Sequence, residues 1–408
     1  MFDGVGVIDA DGHVMEPDSL YDEYLDKRFI PFLDELKAQK RRLEAKNFFG
    51  IFQQLDTGQY LGRAQRGKPL KRAGRRPHGI STAAARIVLG HAKRFLRREL
   101  PDKRGGISPE IRIADMDREG IDIAVLFATA ASSLCVLKTV DFEVAMIQAY
   151  HRWLRDYCMA FPQRLRGVGV VPMRAPARAS AMINQLAQEQ WVVGIYLSGH
   201  IGERLLDDPA LDPIWRACQE NDLPACFHGG VARPPYGLGT FDLASNLFLQ
   251  HACVNPFETM RAIASLLGGG VLERFPKLRV VFLEAGAGWL PFWAERLDGH
   301  FELMREYVPL LKRKPSEFIR SHNFFISCDP DEAFLPVVTD YLGPDNLLYA
   351  SDYPHFDGRF PFSVRLTVDR PEFDASTRRK ILWDNPRRLY SRLDTKQTTL
   401  SSQFATAN

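Results

Sequence analysis

Asp11 and His13, within Val5-Gly-Val-Ile-Asp-Ala-Asp-Gly-His-Val-Met-Glu-Pro17, are the first residues of this chain whose types and spacing suit chemistry. The apolar start of the stretch reads as a buried strand, and in a strand residues i and i+2 point the same way. A carboxylate and an imidazole can then converge on one cation. One such pair is a weak signal, because the same residues also fit a strand ending in a turn, with Asp11 capping it and His13 half exposed. Other donors add weight. His228 closes Pro224-Ala-Cys-Phe-His, Glu284 closes Leu278-Arg-Val-Val-Phe-Leu-Glu, and Asp352 closes Asn346-Leu-Leu-Tyr-Ala-Ser-Asp. All are nitrogen or oxygen donors and none is a thiol. Three or four of them suit Zn2+, with Mn2+ as the other candidate, and leave a position open for water or substrate.

Each donor ends an apolar run, so the elements that position them follow from the order of such runs. Ser108-Pro-Glu opens a helix with proline in its first turn, Gly120 closes it, and Ile121–Phe127 reads as a buried strand. The alternation then repeats. A helix from Phe142 to Phe161 leads to the strand 166–172, one from Ala175 to Gln190 to the strand 192–197, and one from Leu211 to Asn221 to the strand 224–228. A helix from Phe257 to Leu267, extended through 271–275, precedes the strand 278–284. The strand 323–328, a helix from Glu332 to Leu342, the strand 346–352 and a last helix from Ser376 to Tyr390 complete the series. Eight strands with helical stretches between them predict an α/β fold, a (β/α)8 TIM barrel, whose chemistry sits at the carboxyl ends of the strands. An open doubly wound sheet is the other arrangement, but no G-x-G-x-x-G follows any of these strands. At strand four Tyr196-Leu-Ser198 stands where a carbamylated lysine could bridge two metals, so one metal is expected.

Composition sets the frame. With 45% hydrophobic and 25% charged residues over 408 positions, the chain has the balance of a soluble globular protein. No apolar run reaches the roughly 18 residues of a membrane span, and the acidic N-terminus lacks the basic region of a signal peptide. A cytoplasmic protein without a membrane partner is expected. Six cysteines without C-x-x-C spacing indicate reduced, mostly core thiols. The net charge of +3 hides an asymmetry, since Lys37–Arg104 holds 19 Lys and Arg against 4 acids. The organisation expected is a barrel from residues 1–36 and 106–395, a basic insertion or arm at 37–105 and a disordered tail at 396–408. Such an arm suits contact with a neighbouring subunit, hence a homo-oligomer. Few stacking aromatics and no recognition motif accompany it, so nucleic acid is not an expected partner.

Six segments carry a resemblance. They are Asp-Ala-Asp-Gly-His-Val-Met-Glu-Pro (9–17), Ala-Asp-Met-Asp-Arg-Glu-Gly-Ile-Asp (114–122), Leu-Pro-Ala-Cys-Phe-His (223–228), Leu-Glu-Arg-Phe-Pro-Lys-Leu-Arg-Val-Val-Phe-Leu-Glu (272–284), Tyr-Ala-Ser-Asp-Tyr-Pro-His (349–355) and Asp-Asn-Pro-Arg-Arg-Leu-Tyr (384–390). In these the chain from Val5 to Tyr390 resembles the amidohydrolase superfamily, in the branch with aminocarboxymuconate-semialdehyde and resorcylate-type decarboxylases. The resemblance implies one divalent metal held by Asp11, His13, His228 and Asp352. This chain has Asp11-Gly-His13 where relatives tend to have His-x-His or Glu-x-His. It also has Glu284-Ala-Gly-Ala-Gly where they have a His-Gly-Gly run that supplies the general base. Glu284 is therefore either the replacement base or a further ligand.

Other polar residues have two readings each. His251 either reaches the barrel mouth as a displaced base or only helps the entry into a helix. His200, after strand four, either contacts substrate or is an exposed loop residue. His355 supports Asp352 or forms part of a turn. Arg174 and Arg233 are the candidates for a fork on a substrate carboxylate, with surface ion pairing as the alternative. Three functions are compatible with these residues. The first is non-oxidative decarboxylation of a small, aromatic or unsaturated carboxylate, in which Asp352 joins Glu284 or His251 in catalysis. The second is hydrolysis of a C–N, C–O or C–C bond by metal-activated water. The third is a non-catalytic barrel that binds through its basic arm.

Overall fold

The apolar runs pair side by side in the order in which they occur, all parallel: β1 (Ile8–His13), β2 (Ile123–Phe127), β3 (Leu165–Val170), β4 (Val192–Leu197), β5 (Ala225–His228), β6 (Val280–Leu283), β7 (Phe324–Cys328) and β8 (Leu347–Tyr349). Helices lie between successive strands, giving the expected (β/α)8 barrel. The structure, a computed structural model, describes residues 4–17, 19–34, 103–137, 139–201, 204–228, 247–355 and 357–394. Most of the basic segment, Arg233, the side chain of His251 and the tail from 395 onward lie outside the described residues.

Local sequence explains where the helices begin and end. The Ser108 hydroxyl accepts from the Ile111 amide, Pro109 fills the first turn, and Gly120 closes the helix Pro109–Glu119 at φ 81°. Thr139 caps Val140–Met159 in the same way, accepting from the Phe142 amide at 3.3 Å. Between β6 and β7 the structure adds two helices that the run of strands did not reveal, Leu290–Leu303 and Pro315–Ile319. Leu290, Ala294, Leu297 and Phe301 recur there at helical spacing and pack on the core. The last helix, expected to be continuous, divides into Ala375–Arg379, a π turn at Lys380–Asp384, and Asn385–Leu389. Pro386 has no amide hydrogen to continue the ladder back to Leu382, which accounts for the shift.

Strand alternation sorts the interior. His228 faces into the barrel, so Phe227 faces out, where its ring centroid lies 6.0 Å from Trp215 on the helix Asp212–Glu220. Phe227, Phe282 and Phe324 stack across β5, β6 and β7 with centroids 5.2 Å apart at each step. Burial of these aromatics between sheet and helices stabilises the wall that carries His228 and Glu284.

The barrel is closed between β1 and the segment after β8, and this seam is built from the motifs that flank the candidate ligands. The Asp352 amide donates to the Asp11 carbonyl at 3.0 Å, and the His13 amide donates to the Tyr353 carbonyl at 2.7 Å. Beneath them the buried Asp9 carboxylate accepts from the Ser351 amide at 2.9 Å and the Ser351 hydroxyl at 2.6 Å. The buried Arg112 guanidinium donates to the His13 carbonyl and to the Tyr353 carbonyl at 3.4 Å, lying 4.4 Å from the centre of the Tyr353 ring.

A β-bulge lies between Asp9 and Gly12, where the register against β2 slips by one residue. The bulge frees the Ala10 carbonyl, and the buried Tyr390 hydroxyl donates to it at 3.0 Å. The C-terminal Asn-Pro-Arg-Arg-Leu-Tyr motif thus braces the strand that carries Asp11 and His13.

The buried Glu119 accepts from the Ser363 amide at 2.8 Å and the Ser363 hydroxyl at 2.7 Å, and burial pushes its carboxyl up to about 7. A carboxyl raised in the folded state gives stability that is complete below its unfolded value of 4.5 and is lost as pH rises through about 7. Glu119→Gln keeps an acceptor and removes the ionisation. Thermal melts from pH 5 to pH 8 are expected to show the variant gaining on the wild type as pH rises, by up to about 3 kcal/mol. A difference that does not change with pH would contradict this.

Candidate metal centre

Asp11, His13 and His228 bring their ligand atoms together at the carboxyl end of the barrel, and Glu284, Asp352 and His355 adjoin them. The Nε2 atoms of His13 and His228 lie 3.0 Å apart. Asp11 Oδ1 is 3.5 Å from the first and 3.6 Å from the second. Asp352 Oδ1 is 3.5 Å from His13 Nε2, and Glu284 Oε2 is 3.1 Å from His228 Nε2 and 4.0 Å from His13 Nε2. Donors that share one ion at about 2.1 Å stand roughly 3.0–3.4 Å from one another. The observed separations bracket that spacing.

The bulge in β1 is what aims the first pair. Simple alternation would place Asp11 and His13 on one face, but the slipped register turns the backbone at Asp11, a familiar device for re-aiming a side chain next to a site. Glu284 and Asp352 are also set by their backbones, at φ 52° and 53°, the left-handed region that non-glycine residues avoid. Strain of this kind costs about 1–3 kcal/mol per residue and persists where the surroundings fix it. At Glu284 the amide donates to Ser327 Oγ at 3.2 Å. At Asp352 the seam hydrogen bond to Asp11 does the fixing.

The electrostatics call for a positive charge. Asp11 Oδ1 is buried and has no hydrogen-bond partner among the described residues. Burial, together with Asp357, Glu284 and Asp11, pushes the Asp352 carboxyl well above the usual carboxylate range. Burial, with His355, His228 and Arg112 nearby, holds the His13 imidazole well below its ordinary value, so it is neutral with a lone pair to give. A proton shared between the two imidazoles would satisfy both rings and leave Asp11 Oδ1 unpartnered. One divalent cation satisfies all of them, and the set of imidazole and carboxylate donors without a thiol fits such an ion.

The remaining candidates fall in different places. His355 Nδ1 is 2.7 Å from Asp352 Oδ1, and its ring lies over His13 with centroids 4.1 Å apart. His200 is buried after β4 with Nδ1 2.7 Å from Arg261 Nη2 and 3.4 Å from Glu258 Oε2, both on the helix Leu247–Gly268. Arg174, past β3, is ion-paired with the buried Glu143. His251 lies in the first turns of the helix Leu247–Gly268, with its side chain outside the described residues.

Three residues join the site that strand-end reading did not select. Thr129, two positions past β2, stands with its hydroxyl 3.1 Å from His355 Nε2 and 3.4 Å from His13 Nδ1. Its position after a strand was the signal that could have found it. Asn255 donates to Glu284 Oε1 at 3.1 Å from within a helix, and nothing in its spacing announced that. Glu332 accepts from the Ala287 amide at 2.9 Å and the Gly288 amide at 2.8 Å, pinning the loop that follows Glu284. Beside the donors opens a cavity of about 540 Å³, whose wall includes Asp11, Asn255, Glu284, Trp289, Asp352 and Arg359.

Fold and site together define a metal-binding barrel, and the family follows: the amidohydrolase family matches residues 8–392, and the chain belongs to it. Among curated relatives it is similar to 2-amino-3-carboxymuconate-6-semialdehyde decarboxylase of Dictyostelium discoideum, at 25% identity over 68% of this chain and 75% of that protein. It is also similar to gamma-resorcylate decarboxylase of a Polaromonas species, at 22% identity over 68% of this chain and 86% of the relative. Among solved structures, an amidohydrolase from Mycobacterium avium subsp. paratuberculosis shares the fold at TM-score 0.68 and 22% identity, covering 95% of this chain and 99% of the other. A 5-carboxyvanillate decarboxylase from Novosphingobium aromaticivorans, bound to manganese and 3-methoxy-4-hydroxy-5-nitrobenzoic acid, does so at TM-score 0.64 and 22% identity, covering 95% and 97%.

Loss of either imidazole should empty the site. In His13→Ala or His228→Ala, elemental analysis after dialysis is expected to find bound metal reduced from about one ion per chain to a small fraction. Chelation should lower the melting temperature of the wild type, since an ion at a hundredfold its Kd adds about 2.7 kcal/mol. It should leave that of His13→Ala unchanged. Full metal content in His228→Ala would contradict the assignment.

Proposed function

We propose that this protein is a mononuclear, metal-dependent carboxy-lyase that removes carbon dioxide from a small aromatic or unsaturated carboxylate without oxidation. The observation that carries the reading is the placement of the donor cluster at the wall of a cavity of about 540 Å³, a size that suits a single-ring acid. The named relatives, which are decarboxylases, support it over hydrolysis. Asp11, His13, His228 and Asp352 would hold one divalent cation, Zn2+ or Mn2+. When bound, such a cation draws electron density from the substrate carboxylate and a neighbouring oxygen.

The chain's own residues do the rest. Trp289 and Phe334 give the cavity apolar surface for a planar ring. Arg359, held by Asp331 at 2.8 Å, contributes a guanidinium to the wall. Glu284 faces the cavity more openly than the deeply buried Asp11 and His13, and Asn255 occupies its Oε1. Its Oε2 faces the donor cluster, 3.1 Å from His228 Nε2. As the bond to the carboxylate carbon breaks, its electron pair returns to the substrate carbon. That carbon takes a proton from the Glu284 carboxyl, and carbon dioxide leaves. Water then returns the proton to Glu284. The reading includes a cytoplasmic homo-oligomer, supported by six free cysteines and the basic arm. No helix among the described residues is long and apolar enough to cross a membrane.

Metal-loaded protein is expected to release carbon dioxide from hydroxybenzoates or related unsaturated acids, and to stop on chelation. Glu284→Gln should keep its metal and lose about 10²–10⁴-fold in kcat. Turnover of amide or ester substrates, with no carbon dioxide from any carboxylate tested, would overturn the decarboxylase reading. Full turnover by Glu284→Gln would remove Glu284 from the proton step.

A further inference from the structure

Glu284 is aimed from two directions. Its backbone, at φ 52°, is held by the Ser327 hydroxyl of β7, which accepts from the Glu284 amide at 3.2 Å. Its carboxylate is reached from another element: Asn255, on the helix Leu247–Gly268, donates from Nδ2 to Glu284 Oε1 at 3.1 Å. The other oxygen, Oε2, stands 3.1 Å from His228 Nε2. The last torsion of a glutamate side chain is broad, so the plane of the carboxylate is set by its partners and not by a rotamer well. A donor on Oε1 selects the rotation in which Oε2 meets the cluster.

The helix gives up stability at this point. Asn255 stands in its interior, where asparagine is a poor helix former, and Pro256 follows, so the Ala252 carbonyl loses its helical partner. The same residues border the site, since Ala252, Asn255 and Pro256 line the cavity beside Glu284. Asn255 is 6% exposed, and its neighbour Val254 is buried in the same way. An apolar side chain at 255 would serve both the helix and the burial without the cost of desolvating an amide. What asparagine adds is a donor aimed at Glu284.

We infer that Asn255 is a positioning residue: its amide holds the Glu284 carboxyl group with Oε2 on the side of the donor cluster. In the proposed reaction Oε2 is the oxygen that carries the proton, so the inference rests on that reading of Glu284. Asn255 then acts on the proton step through Glu284 alone.

The test uses Asn255→Ala and Asn255→Asp in the full-length, metal-loaded protein. The second variant keeps the size of the side chain and replaces the donor by an acceptor. Crystal structures of both are expected to show the Glu284 carboxylate turned from its wild-type place by about 1 Å or more, a misplacement large enough to slow chemistry. In Asn255→Ala, kcat should fall about ten- to hundredfold, with KM and metal content unchanged, and should fall no further when Glu284 is already glutamine. Equal losses in the two backgrounds would show Asn255 acting elsewhere and overturn the inference, while the decarboxylase reading stands. If the wild type releases no carbon dioxide, the decarboxylase reading fails and the variant structures decide. A Glu284 carboxylate that keeps its wild-type place in both variants overturns the inference, and one that turns away upholds it.

Discussion

The structure depends on the seam where β1 meets the segment after β8. Two backbone hydrogen bonds cross it, from Asp352 to Asp11 and from His13 to Tyr353, and they join residues more than three hundred positions apart in the chain. The same two bonds close the sheet and place Asp11 and His13 opposite Asp352. Fold and site are therefore one constraint: a chain that closes the barrel in this register has already brought a carboxylate from its C-terminal part to the imidazole of its first strand. Asp9, Ser351 and Arg112 are the means of holding the register, because they satisfy the polar groups that closure buries. Burial pushes the Asp9 carboxyl up to about 6, and the hydrogen bonds from Ser351 oppose that rise.

From that seam the cluster gains its electrostatic character. Asp11, Asp352 and Glu284 crowd three carboxylates around two imidazoles in a place where water is largely excluded. Asp11 Oδ1 has no hydrogen-bond partner among the described residues. The buried Arg112 guanidinium spends its donors on carbonyls of the seam and of Gly105 rather than on the carboxylates. A divalent cation is the group that turns this arrangement from repulsive to attractive, and the left-handed backbones of Glu284 and Asp352 show that the fold accepts strain to aim their side chains.

The barrel was legible in the sequence because its strands are buried on both faces and so appear as continuous apolar runs, each stopped by a polar residue at the strand's end. That rule located Asp11, His13, His228, Glu284 and Asp352 together. It did not show the bulge at Asp11, since a bulge is a property of pairing with β2 and leaves no mark on the strand's own pattern. Nor could it show that Asn255 reaches Glu284 or that Arg174 meets Glu143, because those contacts join helices to loops across the fold. The two helices after β6 were missed for a simpler reason: a rule that reads the polar residue closing a strand does not register helices.

The central claim is that two imidazoles and a set of carboxylates share one ion. X-ray absorption at the metal edge of the loaded, purified protein measures this directly. The account predicts a shell of nitrogen and oxygen atoms at about 2.0–2.2 Å with the outer-shell signature of two imidazoles and no sulfur. A sulfur ligand, or a shell without imidazole, would contradict it.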